Sequence, residues 1–439
     1  ATDYYYVAWS HVGGNWVHGA EQHFTTLADI SGPDIYVANS GVDAAGHGHT
    51  AADPYQTIVY AVAHSSAGNT IHVAAGTYPE NVTVDKSLTF LGANATIHGD
   101  DVSRTSESTV NGSFTVKASN VIIDGFAIDA PSNSGVLMQG SYTGEVVTDN
   151  VITDNGYAVN FNTGNTTVSY NKVAYGPSFS TGVEANSNPG NTLTFTGNVF
   201  SGTGAAAPAD ITVIGNVSPQ TSDVTVTDNT STSGTTLIAL FNVDGATISG
   251  NTASGADASV IYVGGNDTDV TIKNNSITDS TTAVKVANDF GDGPNSNVTV
   301  VGGNDFSTDT NGVKVADGAY TAEETVDATN NWWGDASGPN DPTSADGSNP
   351  DTNAGSGSAA VGAVDYEGWC SNADCTPVVT GTCDASVNLL ANSGFETPAV
   401  TTSANWDEFP SGTAGLGWIV NWLYPTSVTS GRPAIANLE

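Results

Sequence analysis

The chain has 439 residues, with 8 Lys and Arg against 45 Asp and Glu, for a formal net charge of −37. So few cations cannot neutralise a phosphate backbone, which excludes a nucleic-acid binder of any simple kind, and they oppose an anionic polysaccharide as ligand unless cations bridge it. No stretch approaches the ~20 apolar residues of a membrane span, and the charge suits a salty or calcium-rich outside medium, where self-repulsion is screened over ~8 Å or less.

The chain opens at Ala1 with neither Met nor a basic leader, as expected of a secreted, extracellular or cell-surface protein after signal cleavage. Residues 1–35 are aromatic-rich (YYYVAWSHVGGNWVHG) and are expected to lie as an extra strand over the blunt end or flank of the body, because open sheet ends expose unpaired backbone. All eight histidines precede residue 99. Among them His47 and His49, with Asp43 and one of His11, His18 or His23, form a weak candidate set for a transition metal; loop histidines are the plainer reading. Asp53 as N-cap, Pro54 at N1 and Gln56 at N3, followed by an apolar face of Tyr55, Ile58, Val59 and Val62 and then Gly68, predict a short capping helix over residues 54–65.

From there one phrase, V-T-[IV]-x-x-N, recurs. Its asparagines are Asn150, Asn171, Asn198, Asn229, Asn251, Asn275, Asn304 and Asn331, with gaps of 21, 27, 31, 22, 24, 29 and 27 residues. That period is too long for a hairpin and matches one turn of a solenoid, in which each repeat buries its apolar face only by stacking on its neighbours. The β-branched alternation has the period of a strand, and asparagine at a tight turn tolerates αL and can bond the next rung. An antiparallel sandwich would need hairpin loops of the right spacing, and they are missing. The expected fold is all-β: a parallel β-helix over residues 36–369 with an internal asparagine ladder.

Residues carrying a family likeness lie in the same span. IYVANSGVDAAG, ADPYQTIVYAVAHSSAGNTIHVAAGTYPENVTVDKSLTFLG, VIIDGFAI at 121–128, NNWWGDASGP at 330–339 and VDYEGW at 364–369 resemble secreted and surface members of the pectin-lyase-like right-handed parallel β-helix proteins. The resemblance covers roughly residues 35–369. It implies the right-handed solenoid, but not one function, since the superfamily holds lyases, hydrolases, esterases, epimerases, adhesins and structural proteins. In its enzymes the cleft lies on one sheet, built from outward side chains of stacked rungs. Here that column is predicted to run Leu137, Asn160, Glu184, Thr212, Ala239, Ile261, Lys285, Lys314. It holds one carboxylate and neither Arg nor His. Gly46-His47-Gly48 sits in the N-terminal loop without an Arg-Ile-Lys partner, and the esterase-like GTYPE phrase at 76–80 lacks its later Gln and Asp motifs. Arg104 and Lys117, the early candidates for a lyase's base, sit in no recognisable motif.

The expected function is therefore an extracellular structural or adhesive β-helix without catalysis, self-associating head-to-tail into a layer or filament. The alternative is a polysaccharide-active lyase or glycoside hydrolase with Glu184 as weak catalytic candidate, or a carbohydrate-binding surface protein. No cofactor is required. Structural calcium is expected at Asp289 and Asp292, or at Asp341, Asp346 and Asp351 in the long loop at 335–360. Nine N-x-[ST] sequons, at Asn81, Asn94, Asn111, Asn165, Asn216, Asn229, Asn266, Asn274 and Asn297, are candidate glycosylation sites.

After the repeats, residues 370–386 form a linker in which two of Cys370, Cys375 and Cys383 are expected to pair. NLLANSGFETP and NWDEFPSGTAGLGW, within 387–439, resemble the start of a galactose-binding-like β-sandwich. A full sandwich needs ~100 residues, so this one is expected to be completed by further sequence or by a neighbouring chain that donates the aromatic strand at 4–9.

Overall fold

A computed structural model describes residues 3–12, 15–25, 34–129, 134–153, 156–175, 181–186, 192–202, 209–320, 325–341, 353–375, 406–408 and 434–436. Its body is a parallel β-helix. Three long sheets run along it, with nine strands in the first and thirteen in each of the other two among the described residues. The first runs from Gly76–Tyr78 to Ser276–Thr278, the second from Val82–Val84 towards Asn311–Val315 and beyond, and the third from Ile35–Val37 to Val364–Asp365. Through the middle of the solenoid every third strand returns to the same sheet in register, so one side-chain column continues across many rungs. Along the third sheet the outward column reads Thr167, Thr194, Thr225, Thr247, Thr271, Thr299, while Val168, Phe195, Val226, Ile248, Ile272 and Val300 point inward and are buried. Alternation along the strand produces both columns at once.

The asparagine ladder occupies the turn between the third and first sheets. Each Nδ2 donates to the Oδ1 of the next asparagine, at 3.0, 3.0, 2.9, 3.0, 2.9, 2.9 and 2.8 Å from Asn150 to Asn331. The backbone N–H of each also donates to that Oδ1. All eight are buried. The residue before each one has positive φ: Asp149, Tyr170, Gly197, Asp228, Gly250, Asn274, Gly303 and Asn330. This left-handed step turns the chain sharply enough to aim the amide inward. At the far end the Cys370–Cys375 disulfide closes a short loop whose Cys370 N–H donates to Asn331 O, so the last ladder carbonyl is also satisfied.

The helix spans Ile58–His64, not 54–65, and its N-cap is Thr57, whose side chain accepts from Tyr60 N–H. Asp53 does not cap it. Tyr55 N–H bonds Tyr36 O, and Tyr55 O accepts from Ala38 N–H, which keeps Pro54 and Tyr55 extended against the first strand. The free amides of the first turn are met by Glu80, which accepts from Ile58 and Val59 N–H at 3.1 and 2.8 Å. Ile58, Ala61 and Val62 close the core at this end.

The aromatic arm is not a solenoid strand. Asp3–Tyr6 pairs antiparallel with Gln22–Thr25, and Trp9–Val12 with Asn15–His18. Tyr5, Tyr6, Trp9 and Trp16 are exposed. By contacts the chain divides into two units, the first holding Ala1–Tyr366 and Cys370–Pro377. In the second, Trp406–Glu408 pairs antiparallel with Ala434–Ala436; the remainder of the expected sandwich, and Cys383, lie outside the described residues. No described helix is long and apolar enough to cross a membrane.

Among the described buried polar residues, Glu145 is the least compensated of the core positions. Glu145 stands in the column Val121, Glu145, Thr166, Leu193, Val224 and is completely buried. Neither carboxyl oxygen has a hydrogen bond of normal geometry. Burial pushes its carboxyl up from the usual range, although the Thr163 and Thr166 hydroxyls, which bond each other at 2.9 Å, stand close enough to favour its charged form. An unpaired buried polar group costs ~1–3 kcal/mol, so Glu145→Leu should raise the denaturant midpoint at neutral pH. A lowered midpoint would mean that the carboxyl has a partner the leucine cannot replace.

Candidate functional site

The outward column of the second sheet is Leu137, Asn160, Glu184, Thr212, Ala239, Tyr262, Lys285, Lys314. One member differs from expectation. Ile261 is fully buried and Tyr262 faces out. The strand Val-Ile-Tyr-Val accepts two phases by apolarity alone, and a one-residue slip exchanges the faces. The register with Ala239 and Lys285 on the neighbouring strands decides the phase.

A groove of roughly 610 Å³ follows this column from Glu184 to Lys314. Its two ends differ. Glu184 accepts from Asn160 Nδ2 at 3.1 Å and Asn186 Nδ2 at 2.7 Å. The middle is uncharged, with Thr212 and Ala239 on the floor and Phe241 beside them. At the other end Tyr262, Lys285 and Lys314 stack on successive strands. Phe241 meets Tyr262 edge-on at 5.6 Å and Phe290 at 5.1 Å, and Phe290 is 71% exposed at the rim. Phe241, Phe290 and Tyr262 all escaped the sequence reading, because only the fold brings these strands and this turn together.

The basic end is organised around Asp289. Its Oδ2 accepts from the Tyr262 hydroxyl at 2.6 Å and from Lys285 Nζ at 2.8 Å, and Lys285 Nζ stands 5.0 Å from the Tyr262 ring centre. The Lys285 ammonium and the Tyr262 hydroxyl hold the Asp289 carboxyl below its ordinary value. Burial and then Asp289 push the Tyr262 phenol up, so it stays protonated as a donor. Among the described residues Lys314 has no ion-pair partner. At ~4.8 Å per strand, Glu184 lies about 14 Å from Tyr262 and about 24 Å from Lys314 along the sheet. Glu184 therefore cannot share a reacting atom with that cluster. Its neighbours in the column, Asn160 and Thr212, supply no second carboxylate, as a glycosidase pair would require.

The other candidates are held elsewhere. Asp43 accepts from Gln56 and Thr57 N–H at 2.8 and 3.1 Å and from the Thr57 hydroxyl at 2.7 Å, which makes it a brace for the helix start. His47 Nδ1 pairs with Asp53 at 2.5 Å, and His49 is exposed. Asp292 accepts from Asn242 Nδ2 at 3.0 Å, away from the partners of Asp289. Asp341 is buried and accepts from the Tyr366 hydroxyl at 3.2 Å; Asp346 and Asp351 lie outside the described residues. Among the described residues no three His, Cys, Asp or Glu side chains converge as a cation site. Of the sequons, Asn94 and Asn229 are buried, which closes them to glycan on the folded chain, and Asn266 is half-buried. Asn81, Asn111, Asn165, Asn216, Asn274 and Asn297 are exposed.

No family model matches the sequence, and no curated protein matches it. Among solved structures, the chain is similar to a rhamnogalacturonan lyase (12% identity, TM-score 0.40, covering 68% of this chain and 87% of that one). It is also similar to an alginate lyase from a Paenibacillus species (13%, TM-score 0.34, 63% and 91%). A third likeness is to XylC in complex with xylose (11%, TM-score 0.31, 64% and 67%). These likenesses concern the backbone path and assign no residue a role.

Proposed function

We propose that this chain is an extracellular polysaccharide-binding β-helix whose groove on the second sheet takes a carboxylate-bearing sugar chain. The observation that carries this reading is the placement of Lys285 and Lys314. A chain with 8 basic residues stacks two of them in register, at one end of an aromatic-walled groove whose middle is uncharged. Aromatic faces suit the apolar faces of sugar rings, and threonines on the floor offer hydroxyl partners. The charges on the groove lining are Glu184 and Asp289 against Lys285 and Lys314, so a ligand there meets a locally balanced site. The distant carboxylates are screened beyond ~8 Å at physiological salt. The lysines thus answer the objection that the overall charge raises.

The test is binding of an oligogalacturonide and its methyl ester to the wild type and to Lys285→Ala/Lys314→Ala. The acidic ligand should lose about tenfold or more in affinity, the equivalent of ~1.4 kcal/mol, and the ester little. Equal loss of both, or no binding of either, would sink the reading.

A second reading, cleavage by β-elimination, is favoured by the Tyr262 hydroxyl beside Lys285. In that reaction a base removes the proton next to the carboxylate, the electron pair forms the ring double bond, and the glycosidic oxygen leaves with a proton. Lysine would neutralise the carboxylate, and the protonated Tyr262 would supply the leaving oxygen's proton. Ultraviolet absorbance of the unsaturated product, lost in Tyr262→Phe, would distinguish cleavage from binding.

A further inference from the structure

The donors at the basic end of the groove already hold an anion, and it is the protein's own. Lys285 Nζ and the Tyr262 hydroxyl converge on the same oxygen of Asp289. An ammonium and a phenol aimed at one carboxylate oxygen form a charge-assisted anion site. Asp289 is not on the sheet. It follows the strand Thr282–Val286, in a turn that carries Gly291 and Gly293 at φ +75° and +141°. The base of this turn is tied down: Asn288 Oδ1 accepts from Gly293 N–H at 3.3 Å, and Asn242 Nδ2 donates to Asp292 at 3.0 Å. Its tip is not. A side chain on Gly291 would meet open space, and the ring of Phe290 is mostly exposed, touching Phe241 by an edge. The Asp289 side chain is itself 52% exposed.

We propose that Asp289 is an internal occupant of the groove's anion subsite, which a ligand carboxylate must displace before it pairs with Lys285 and Tyr262. The proposal rests on the polysaccharide-binding reading above. It makes Asp289 a specificity-determining residue. A single acidic sugar competes poorly with a tethered carboxylate, because the tether keeps its effective concentration high. A longer acidic chain gains Lys314 on the next strand as well, and so displaces Asp289 more readily.

The experiment measures, by calorimetry on the full chain, binding of trigalacturonate and its methyl ester to wild type, Asp289→Ala, Asp289→Asn and Asp289→Ala/Lys285→Ala. Asp289→Asn keeps the size of the side chain if the alanine variant disturbs the turn. Both single variants should bind the acidic trimer about tenfold more tightly, with the ester unchanged, and loss of Lys285 should erase the gain. If wild type binds the trimer and neither single variant binds it better, Asp289 is a structural partner of Lys285 and the displacement proposal is wrong while the groove reading stands. If no form binds the trimer, both are wrong.

Discussion

Asn229→Leu should destabilise the solenoid by about 3–5 kcal/mol, lowering its thermal midpoint by roughly 5–10 °C. The leucine has nearly the shape of the asparagine and removes only its hydrogen bonds. Asn229 Nδ2 donates to Phe195 O, Thr227 O and Asn251 Oδ1, each at 3.0 Å. Its Oδ1 accepts from the backbone N–H and Nδ2 of Asn198, both at 2.9 Å. All of these groups but Thr227 O, which is part-buried, are shut away from water, so each one left unpaired carries its desolvation cost. Asn331→Leu, at the end of the ladder, has no further asparagine to donate to and should cost less. Thr225→Ala, on the outward column of the third sheet, should stay within about 0.5 kcal/mol. Equal midpoints for Asn229→Leu and Thr225→Ala would mean that the ladder contributes nothing beyond packing. Because each rung is stabilised through its neighbours, the loss should also appear as proteolytic cleavage near residue 229 before global unfolding.

Stability should be highest near pH 4 and decline as pH rises from there to about 7, the reverse of a protein held by surface ion pairs. Four buried carboxyls are responsible. Burial pushes Asp124 and Asp210 up to about 6. It pushes Asp267 up to about 7, and Asp309, with Asp305 and Asp279 close by, also to about 7. The folded values lie above the unfolded value of about 3.8, so between about pH 4 and pH 7 the folded chain binds more protons than the unfolded one. Their contribution is therefore fully present below the unfolded value and is lost as pH rises through the folded value. Each group changes stability by at most about 1.4 kcal/mol per pH unit over its own interval. Asp309 has one carboxyl oxygen without a partner, while the other accepts from Ser280 N–H at 2.7 Å. Asp309→Asn keeps that acceptor and never ionises, so it should raise the urea midpoint most at pH 8, less at pH 5, and leave it unchanged only below about pH 4. A midpoint for the wild type that rises steadily from pH 5 to pH 8 would show that these carboxyls find solvent or a cation when they ionise.

The groove shows why a correct fold reading can still miss a site. Glu184, Lys285 and Lys314 were legible as outward residues because Val-x-Val alternation sets their phase. Tyr262 was not, since Val260, Ile261 and Val263 are all apolar and permit either phase; the parallel register with Ala239 and Lys285 settles it. Asp289 read as a calcium ligand because NDFGDG has the composition of an acidic loop. Its actual partners lie on two strands of the sheet, and no local pattern announces them. Asp43 likewise read as a metal ligand beside His47, whereas its carboxylate meets the free amides of Gln56 and Thr57.

By itself the sequence determined the solenoid, its period and its ladder. These are one-dimensional properties: a residue type recurring at the length of one rung must stack on itself when rungs stack, whatever else the chain does. The tertiary structure alone decided which side chains converge. The turns between strands differ in length from rung to rung, so where a turn folds back, and which column it meets, depends on contacts between rungs. For the same reason a strand with two apolar phases took its face from the register of its neighbours. The helix began at Thr57 because Tyr55 was already bonded to Tyr36 and Ala38, and Glu145 entered the core because its column is set by the strands on either side.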